Sequence, residues 1–409
     1  MTDRRTFVVV GASLAGATAA ATLREEGFDG RLVVIGAEDL APYERPPLSK
    51  GYLRGEESLD DLYVRSPDWW KEHDVEMRSG VLVGSLDPAG RVLDLDEGER
   101  LSFDVALIAT GSRNRRVGAP GVELEGVLDL RTVADADRIK EAAASGGPAV
   151  LIGMGFIGAE VAASLRALGV GVTVVEPFET PMQRALGTDA GRALAEIHAD
   201  HGVKMRFADS LDRFEGDGRL ERVVTTLGDD LDAAFAVVGV GVQPNAELWP
   251  GELAPDGGIP VGPTLETEVP GVFAAGDVAS HQHPAFGRIR VEHFDNAIKM
   301  GEAAARNMLG AGTVFDDPHW FWSDQYDVQV QMVGRAPEGA QTIVRGSHAD
   351  RSFCSFSLDE EGVLRAVTSL AWPRDVRRSI KLVQAGVRPD PKALADPEID
   401  IRTLLPKEE

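Results

Sequence analysis

Twice along this chain a short apolar run ends in a glycine-bearing turn, passes into a helix-forming stretch and is followed by a second apolar run. The first instance is Thr6 to Val10, the turn Gly11-Ala-Ser-Leu-Ala-Gly16, an alanine-rich stretch to Leu23 and a strand Leu32 to Ile35. The second is Ala149 to Ile152 behind Pro148, the turn Gly153-Met-Gly-Phe-Ile-Gly158, a helix Ala159 to Leu168 and a strand Val172 to Val175. Each closes a strand–helix–strand unit of about thirty residues, the size of one half of a dinucleotide-binding fold. Parallel strands need a crossover, and a crossover helix that starts at a glycine turn aims its free N–H groups at a phosphate. The chain therefore reads as α/β, with two Rossmann-like dinucleotide-binding domains.

The second turn carries glycine at all three diagnostic positions. Gly153 permits the tight turn, Gly155 the approach of backbone to pyrophosphate, and Gly158 the packing of helix on strand. The strand that follows ends in Glu176, close to the expected twenty or so residues downstream, where a carboxylate accepts hydrogen bonds from an adenosine ribose. The same charge repels a 2′-phosphate, which points to NAD(H) over NADP(H). Arg184 is compatible with a phosphate or with a surface salt bridge, the commoner use of such a residue. In the first turn Ser13 stands where the second glycine belongs, small enough to keep the approach open. Its ribose partner is Glu38 or Asp39, with Glu38 favoured.

Further apolar runs, Val105 to Gly111 and Val272 to Asp277, read as central parallel strands buried on both faces, and Phe235 to Gly241 as the strand closing the second sheet. Past Trp320 the pattern changes. Val328 to Val333, Gln341 to Arg345, Ser352 to Leu358 and Leu364 to Leu370 alternate like antiparallel strands, and Val376, Ile380 and Val383 make a helical stripe, so a small α+β domain is expected there. A 409-residue chain is long enough for such a division.

Composition narrows the chemistry. The one cysteine, Cys354, rules out an intramolecular disulfide, a dithiol redox pair and a thiolate metal cage, and its alternating surroundings suggest a core strand residue. No metal site is expected. A net charge of −24 argues against binding to a phosphate backbone, so no nucleic-acid partner is expected. The polar start, with no twenty-residue apolar span, suggests a cytoplasmic protein with no membrane partner.

The segment Pro42-Tyr-Glu-Arg-Pro-Pro-Leu-Ser-Lys-Gly-Tyr52, together with Ala109-Thr-Gly111, Ala275-Gly-Asp277 and Phe321-Trp-Ser-Asp-Gln-Tyr326, resembles the FAD-dependent ferredoxin and putidaredoxin reductases. The likeness runs from Phe7 to about Ala385 and implies a glutathione-reductase-like architecture. That architecture has an FAD domain (1–115 and 246–320), an NAD domain (116–245) and a C-terminal interface domain (321–409). By resemblance, Gly11, Ser13, Leu14, Ala15 and Gly16 hold the FAD pyrophosphate and Glu38 its ribose. Val83, Ala109, Thr110, Gly111 and Gly276 are cofactor-binding positions as well, and Asp277 hydrogen-bonds the ribityl chain, a role compatible with a helix N-cap. Glu292, His293 and Phe294 border the flavin, and Trp322 covers it near the nicotinamide. Gly153, Gly155, Gly158 and Glu176 serve NAD, and Arg131, Phe156, Ile157, Glu160, Arg184 and Gly241 are further cofactor-binding positions. Lys50 pairs with Glu160 and stabilises negative charge developing on the flavin as hydride arrives.

No cysteine stands beside the flavin, since Ser49 and Lys50 occupy that region, so electrons leave it directly for an outside carrier. The resemblance makes that carrier an iron–sulfur ferredoxin, or a rubredoxin, serving a cytochrome P450 or a Rieske-type ring-hydroxylating oxygenase. The alternatives are a redox sensor resembling apoptosis-inducing factor and an NADH oxidase. An acidic carrier needs a local basic face on so acidic a protein. The candidate is the helix beginning near Asp375, with Val376, Ile380 and Val383 turned inward and Arg377, Arg378 and Lys381 outward, and Arg288 and Arg290 as secondary choices.

Overall fold

Phe7, Val8 and Val9 are fully buried in the middle of a five-stranded parallel sheet, ordered Val272–Ala274, Val105–Ile108, Thr6–Val10, Arg31–Gly36 and Val75–Ser79. The register pairs Val10 with Ile35 on one side and Ile108 on the other, so three strands end at one level, where the first glycine turn leaves the sheet. Burying each such side chain contributes roughly 1.5–3 kcal/mol, which explains why the runs are unbroken by polar residues. The helix Leu14–Glu25 crosses over this sheet and packs on the helix Phe294–Met308. Close approach there requires Gly301, because a Cβ at that position would meet the carbonyl oxygen of Ala15 at 2.5 Å.

This computed structural model describes residues 4–406 in two units. The first combines the segment ending at Glu44 with Asp60–Arg113 and Gln243–His319. Its parallel sheet corrects one expectation. Val272–Ala274 is an edge strand and not a central one. It is buried all the same, because its outer edge is hydrogen-bonded to the segment at Leu265 and Thr267: Ala274 N donates to Leu265 O and Thr267 N to Val272 O. Two three-stranded sheets complete this unit's larger pieces, an antiparallel one of Val83–Asp87, Val92–Leu95 and Arg100–Ser102 and a mixed one of Ile259–Val261, Ala279–His283 and Gly287–Arg290.

The second unit gathers Arg45–Leu59, Asn114–Val242 and the chain from Trp320 onward. Its parallel sheet runs Lys204–Phe207, Val172–Glu176, Ala149–Ile152, Phe235–Val238 and Val127–Asp129. Phe235–Val238 therefore does not close it. The outer position belongs to Val127–Asp129, three residues too short to show a period. A second sheet is antiparallel and ordered Trp320–Gln325, Val328–Gly334, Leu364–Leu370, Ser352–Leu358 and Gln341–Ser347, with the helix Pro373–Gln384 packed on it. The short segment Arg45–Leu59 joins this unit through its side chains: Tyr52 Oη donates to Asp137 at 2.9 Å and Arg54 to Ser164 Oγ at 3.2 Å.

Candidate functional site

Both glycine turns have the shape a dinucleotide needs. Gly11 has φ of 117°, and a Cβ there would fall 2.1 Å from the carbonyl oxygen of Ala109; one on Gly16 would fall 1.9 Å from that of Gly11. The second turn repeats this, with Gly153 at φ of 95° against the Gly239 carbonyl and Gly158 against that of Gly153. The middle position differs. A Cβ on Gly155 meets nothing within 4 Å, so this position does not demand glycine for packing, and Ser13 occupies its counterpart. Ser13 and Gly155 are the N-caps of their helices, neither with a side-chain cap, and neither helix has an acid in its first turn. Neither helix N-terminus is thus closed by a cap or by an acid of its own first turn, which suits an anion site.

In the first unit Glu38, Ala109 to Gly111 and Gly276 with Asp277 each follow the C-terminal end of a strand of the same parallel sheet. Leu14 and Ala15 are buried in the helix behind the turn, and Val83 packs against the same core. Thr110 Oγ1 donates to Asn245 O at 2.7 Å, and Asn245 Nδ2 returns a bond to Thr110 O at 2.9 Å, fixing the strand exit between Ala109 and Gly111. Asp277 Oδ2 accepts from Ser112 Oγ at 2.6 Å. It is not an N-cap, because the short helix Gly276–Val278 is preceded by Ala275 in that role. Glu38 accepts from Tyr43 Oη at 2.5 Å, whereas Asp39 is exposed. Glu292 pairs with Arg290 at 2.6 Å, and Arg290 also donates to Asp277 O, tying the Glu292-His293-Phe294 segment to Asp277. Arg290, with 11% of its side chain exposed, is thus engaged within this unit and offers a partner little of its charge. Arg288 is likewise engaged, donating to Ser280 O at 2.6 Å. His293, the N-cap before Phe294, is held neutral, its pKa pushed down to about 4 by burial.

In the second unit Glu176 is buried and turned into the glycine turn: Oε2 accepts from Met154 N at 2.6 Å and Oε1 from Phe178 N at 3.0 Å. The sequence points to its position and not to this backbone role. Arg184 lies over the Phe178 ring, 4.7 Å from its centroid, so a cation–π contact takes the place of the expected salt bridge. Phe156 packs on Phe321 with centroids 4.0 Å apart, and Ile157 is partly buried beside it. Gly241 has φ of 98° and its carbonyl accepts from Arg115 N, while Arg131 N donates to Asp135 and its carbonyl accepts from Arg45.

The expected Lys50–Glu160 pair is present, Nζ to Oε2 at 2.5 Å, with the lysine side chain only 17% exposed. Around it lies a hydrogen-bonded chain that the sequence reading does not contain. Ser49 Oγ donates to the same Glu160 oxygen, and Ser323 Oγ donates to Oε1 at 2.6 Å. Gln325 Nε2 donates to Ser323 Oγ at 3.1 Å and its Oε1 receives His198 Nε2 at 2.7 Å; Tyr326 Oη lies 3.1 Å from His198 Nδ1. With the amide oxygen facing Nε2, that nitrogen must carry the proton and Nδ1 must accept. Every donation then runs from Tyr326 toward the Glu160 carboxylate. His198 is fully buried, which pushes its pKa down to about 4, with His201 adding to the effect. Ser323, Gln325 and Tyr326 stand inside a recognisable motif, but His198 sits on a distant helix and gives no local signal.

Trp322 stacks on Trp320 at 5.0 Å and donates from Nε1 to Asp324. Cys354 is fully buried in its strand, and burial pushes its thiol pKa well up, so it is no nucleophile. On the helix Pro373–Gln384, Val376 and Val383 face inward as expected, while Ile380 is only partly covered. Arg378 is not free: it pairs with Asp400 at 3.4 Å. Arg377 lies over the Trp320 ring and is exposed together with Arg374 and Lys381. No helix among the described residues is long and apolar enough to cross a membrane.

Residues 5–301 match the family model of the pyridine nucleotide-disulphide oxidoreductases, and residues 320–405 match that of the reductase C-terminal domain. The chain is 37% identical over 404 residues to the ferredoxin–NAD(+) reductase component of the anthranilate 1,2-dioxygenase system of Burkholderia cepacia, covering 98% of this chain and 99% of that protein. The crystal structure of the ferredoxin reductase for the CYP199A2 system of Rhodopseudomonas palustris superimposes with a TM-score of 0.93 at 32% identity, covering 98% of this chain and 99% of the other. The reductase of the covalent putidaredoxin reductase–putidaredoxin complex matches with a TM-score of 0.93 at 29% identity, covering 98% of each chain.

Proposed function

The chain belongs to the pyridine nucleotide-disulphide oxidoreductases, among the ferredoxin–NAD(+) reductases of oxygenase systems, and from that premise we propose that it carries electrons from NADH through FAD to an iron–sulfur ferredoxin. The ferredoxin in turn supplies a cytochrome P450 or a ring-hydroxylating oxygenase. Family members use FAD and a nicotinamide dinucleotide. The flavin, when bound, supplies the conversion of a two-electron hydride into single electrons. We also propose a cytoplasmic location and the three-domain division 1–115 with 246–320, 116–245 and 321–409.

One observation carries the reading: two uncapped glycine-turn helices stand in a chain whose one cysteine is sealed in a strand of the C-terminal sheet. A thiol relay has no residues to run on, so electrons must pass directly to an external acceptor. In this proposal Gly11, Ser13 and Gly16 cradle the FAD pyrophosphate, Glu38 and Asp277 take hydroxyls of the same cofactor, and Gly153, Gly155, Gly158 and Glu176 hold NAD. Lys50, tethered by Glu160, provides positive charge that favours hydride delivery. The test is turnover: the purified yellow protein, carrying about one FAD, reduces a ferredoxin rapidly with NADH. A colourless protein that cannot be reconstituted with FAD sinks the proposal. A long-lived NADH-reduced complex without turnover moves the chain to the sensor class.

A further inference from the structure

Three imidazoles meet in the interior of the first unit. His281 and His283 alternate on the strand Ala279–His283 and so share a face, and His319 comes in from the end of a later segment. All three are buried, and one ring nitrogen from each lies within 4.8 Å of the others. The rings stand 5.2 to 5.7 Å apart, centroid to centroid, at interplanar angles of 56° to 81°.

Neither ring nitrogen of His281 or of His319 has a hydrogen-bond partner of good geometry. Four such atoms in one spot is a large cost, since a buried polar group left unpaired loses roughly 1–3 kcal/mol. Burial disfavours the charged form of both rings. Asp256, Asp316 and Asp317 supply negative charge in the surroundings, against Arg288 and Lys299.

We propose that His281, His283 and His319 form a binding site for a divalent transition-metal ion of the zinc type. Three imidazoles are a recognised zinc donor set. Zinc–nitrogen bonds of about 2.0–2.1 Å place tetrahedral donors roughly 3.3 Å apart, so donor atoms that lie within 4.8 Å of one another close by at most about 1.5 Å on binding. His281 and His319 can do so without breaking a bond. His283 cannot: Nε2 is 3.0 Å from Asp317 O, and Nδ1 accepts from Ala285 N and Phe286 N. It exchanges one of these for the ion and so contributes least. The His-x-His spacing is the sequence signal for the site, and the third ligand, far downstream, is not visible from it.

The FAD-loaded protein, stripped with chelator and exchanged against Zn²⁺, is expected to retain one zinc per chain by elemental analysis and to melt at a higher temperature. His281→Phe and His319→Phe each lower zinc affinity by more than the roughly 10- to 100-fold that loss of an outer-shell partner costs, and His283→Gln has a smaller effect. His73→Gln and His348→Gln, on exposed or half-buried rings elsewhere, leave binding unchanged. Should the Phe variants not fold, Co²⁺ added to the unaltered protein reads the site through ligand-field absorption to the red of the flavin, strong for tetrahedral nitrogen donors. Zinc retention unaffected by His281→Phe and His319→Phe, or the absence of a tetrahedral Co²⁺ spectrum, overturns the assignment. Neither readout depends on ferredoxin or NADH.

Discussion

Lys50 Nζ and Glu160 Oε2 are 2.5 Å apart, and the glutamate that holds the lysine is itself held by Ser49 and Ser323. A lysine stem has four rotatable bonds, so a single exposed contact seldom fixes its ammonium. Here the carboxylate arrives pre-oriented, with both oxygens bonded, and the ammonium has a defined place.

The consequence for catalysis is a separation of binding from rate. Lys50→Met removes the positive charge and is expected to slow flavin reduction at saturating NADH by roughly 100-fold while changing NADH affinity much less, because the lost interaction is with charge that develops during transfer. Stopped-flow reduction measures both. An unchanged limiting rate removes Lys50 from the catalytic machinery.

The chain from Tyr326 through His198 and Gln325 to Ser323 predicts an effect at one remove. Gln325→Leu removes the donor to Ser323 Oγ and leaves His198 Nε2 without its acceptor in a buried setting, costing about 1–3 kcal/mol of stability. It also frees Ser323 to turn away from Glu160, so flavin reduction slows a few-fold at constant NADH affinity, and Gln325→Glu, which keeps an acceptor for His198 but has no amide N–H for Ser323, does not recover the rate. A loss of stability with no change in rate makes the chain structural only.

Acid should destabilise the protein through its buried imidazoles. His198, His281 and His293 each have a pKa lowered from 6.5 to about 4, and His319 is lowered further, with burial as the leading cause in every case. The unfolded chain binds these protons below pH 6.5 and the folded chain does not, so stability present above pH 6.5 is lost as pH falls toward 4. Each histidine contributes on the order of 1 kcal/mol per pH unit in that window. Urea unfolding at pH 7.5, 6 and 5 checks this, and His198→Gln flattens the dependence by about one proton. A pH-independent midpoint between 7.5 and 5 contradicts it.

Much of this was legible because it is written in short-range pattern. Thr6–Val10, Ser352–Leu358 and Leu364–Leu370 have the residue bounds their apolar periodicity suggests, since burial on one or both faces dictates side chain after side chain. Val127–Asp129 was not legible: a three-residue strand takes its conformation from Phe235–Val238 beside it. The site divides the same way. Glycines at 11, 16, 153 and 158 announce themselves because a Cβ there collides with a neighbouring backbone, whereas His198 joins Gln325 across 127 residues and Arg378 joins Asp400 by tertiary packing alone.

Glu176 carries a sharper prediction than its position gave. Glu176→Ala is expected to lose roughly 10- to 100-fold in NADH affinity, equivalent to about 1.4–2.7 kcal/mol, and to loosen the turn whose Met154 amide it holds. Glu176→Gln keeps an acceptor for one of the two amides and removes the charge, so it should raise NADPH efficiency relative to NADH with less damage to the fold. The kcat/KM values for both nucleotides in all three proteins separate the two roles. Equal use of NADH and NADPH by the unaltered chain would show that Glu176 does not read the ribose.

Docking of an acidic ferredoxin is the last prediction, and the Arg378–Asp400 pair reshapes it. A guanidinium already matched to a carboxylate has less to offer a partner, so the docking charges on the helix Pro373–Gln384 are Arg374, Arg377 and Lys381, spaced by three and four residues along one exposed face. A face of three cations on a chain of net charge −24 works only at short range, where the partner's carboxylates are within about a Debye length of 8–10 Å. Arg377→Glu combined with Lys381→Glu is expected to lower the ferredoxin association rate by about ten-fold at low ionic strength and to shrink its salt dependence, since steering charge acts mainly on the on-rate. NADH-to-ferricyanide turnover should stay intact, because that small acceptor needs no docking face. Arg378→Glu separates the two kinds of arginine: it breaks the pair with Asp400 and should lower the melting temperature while affecting ferredoxin association less than the double reversal. If the doubly reversed protein reduces its ferredoxin at the unaltered rate in both low and high salt, this helix is a solvated basic face and docking lies elsewhere.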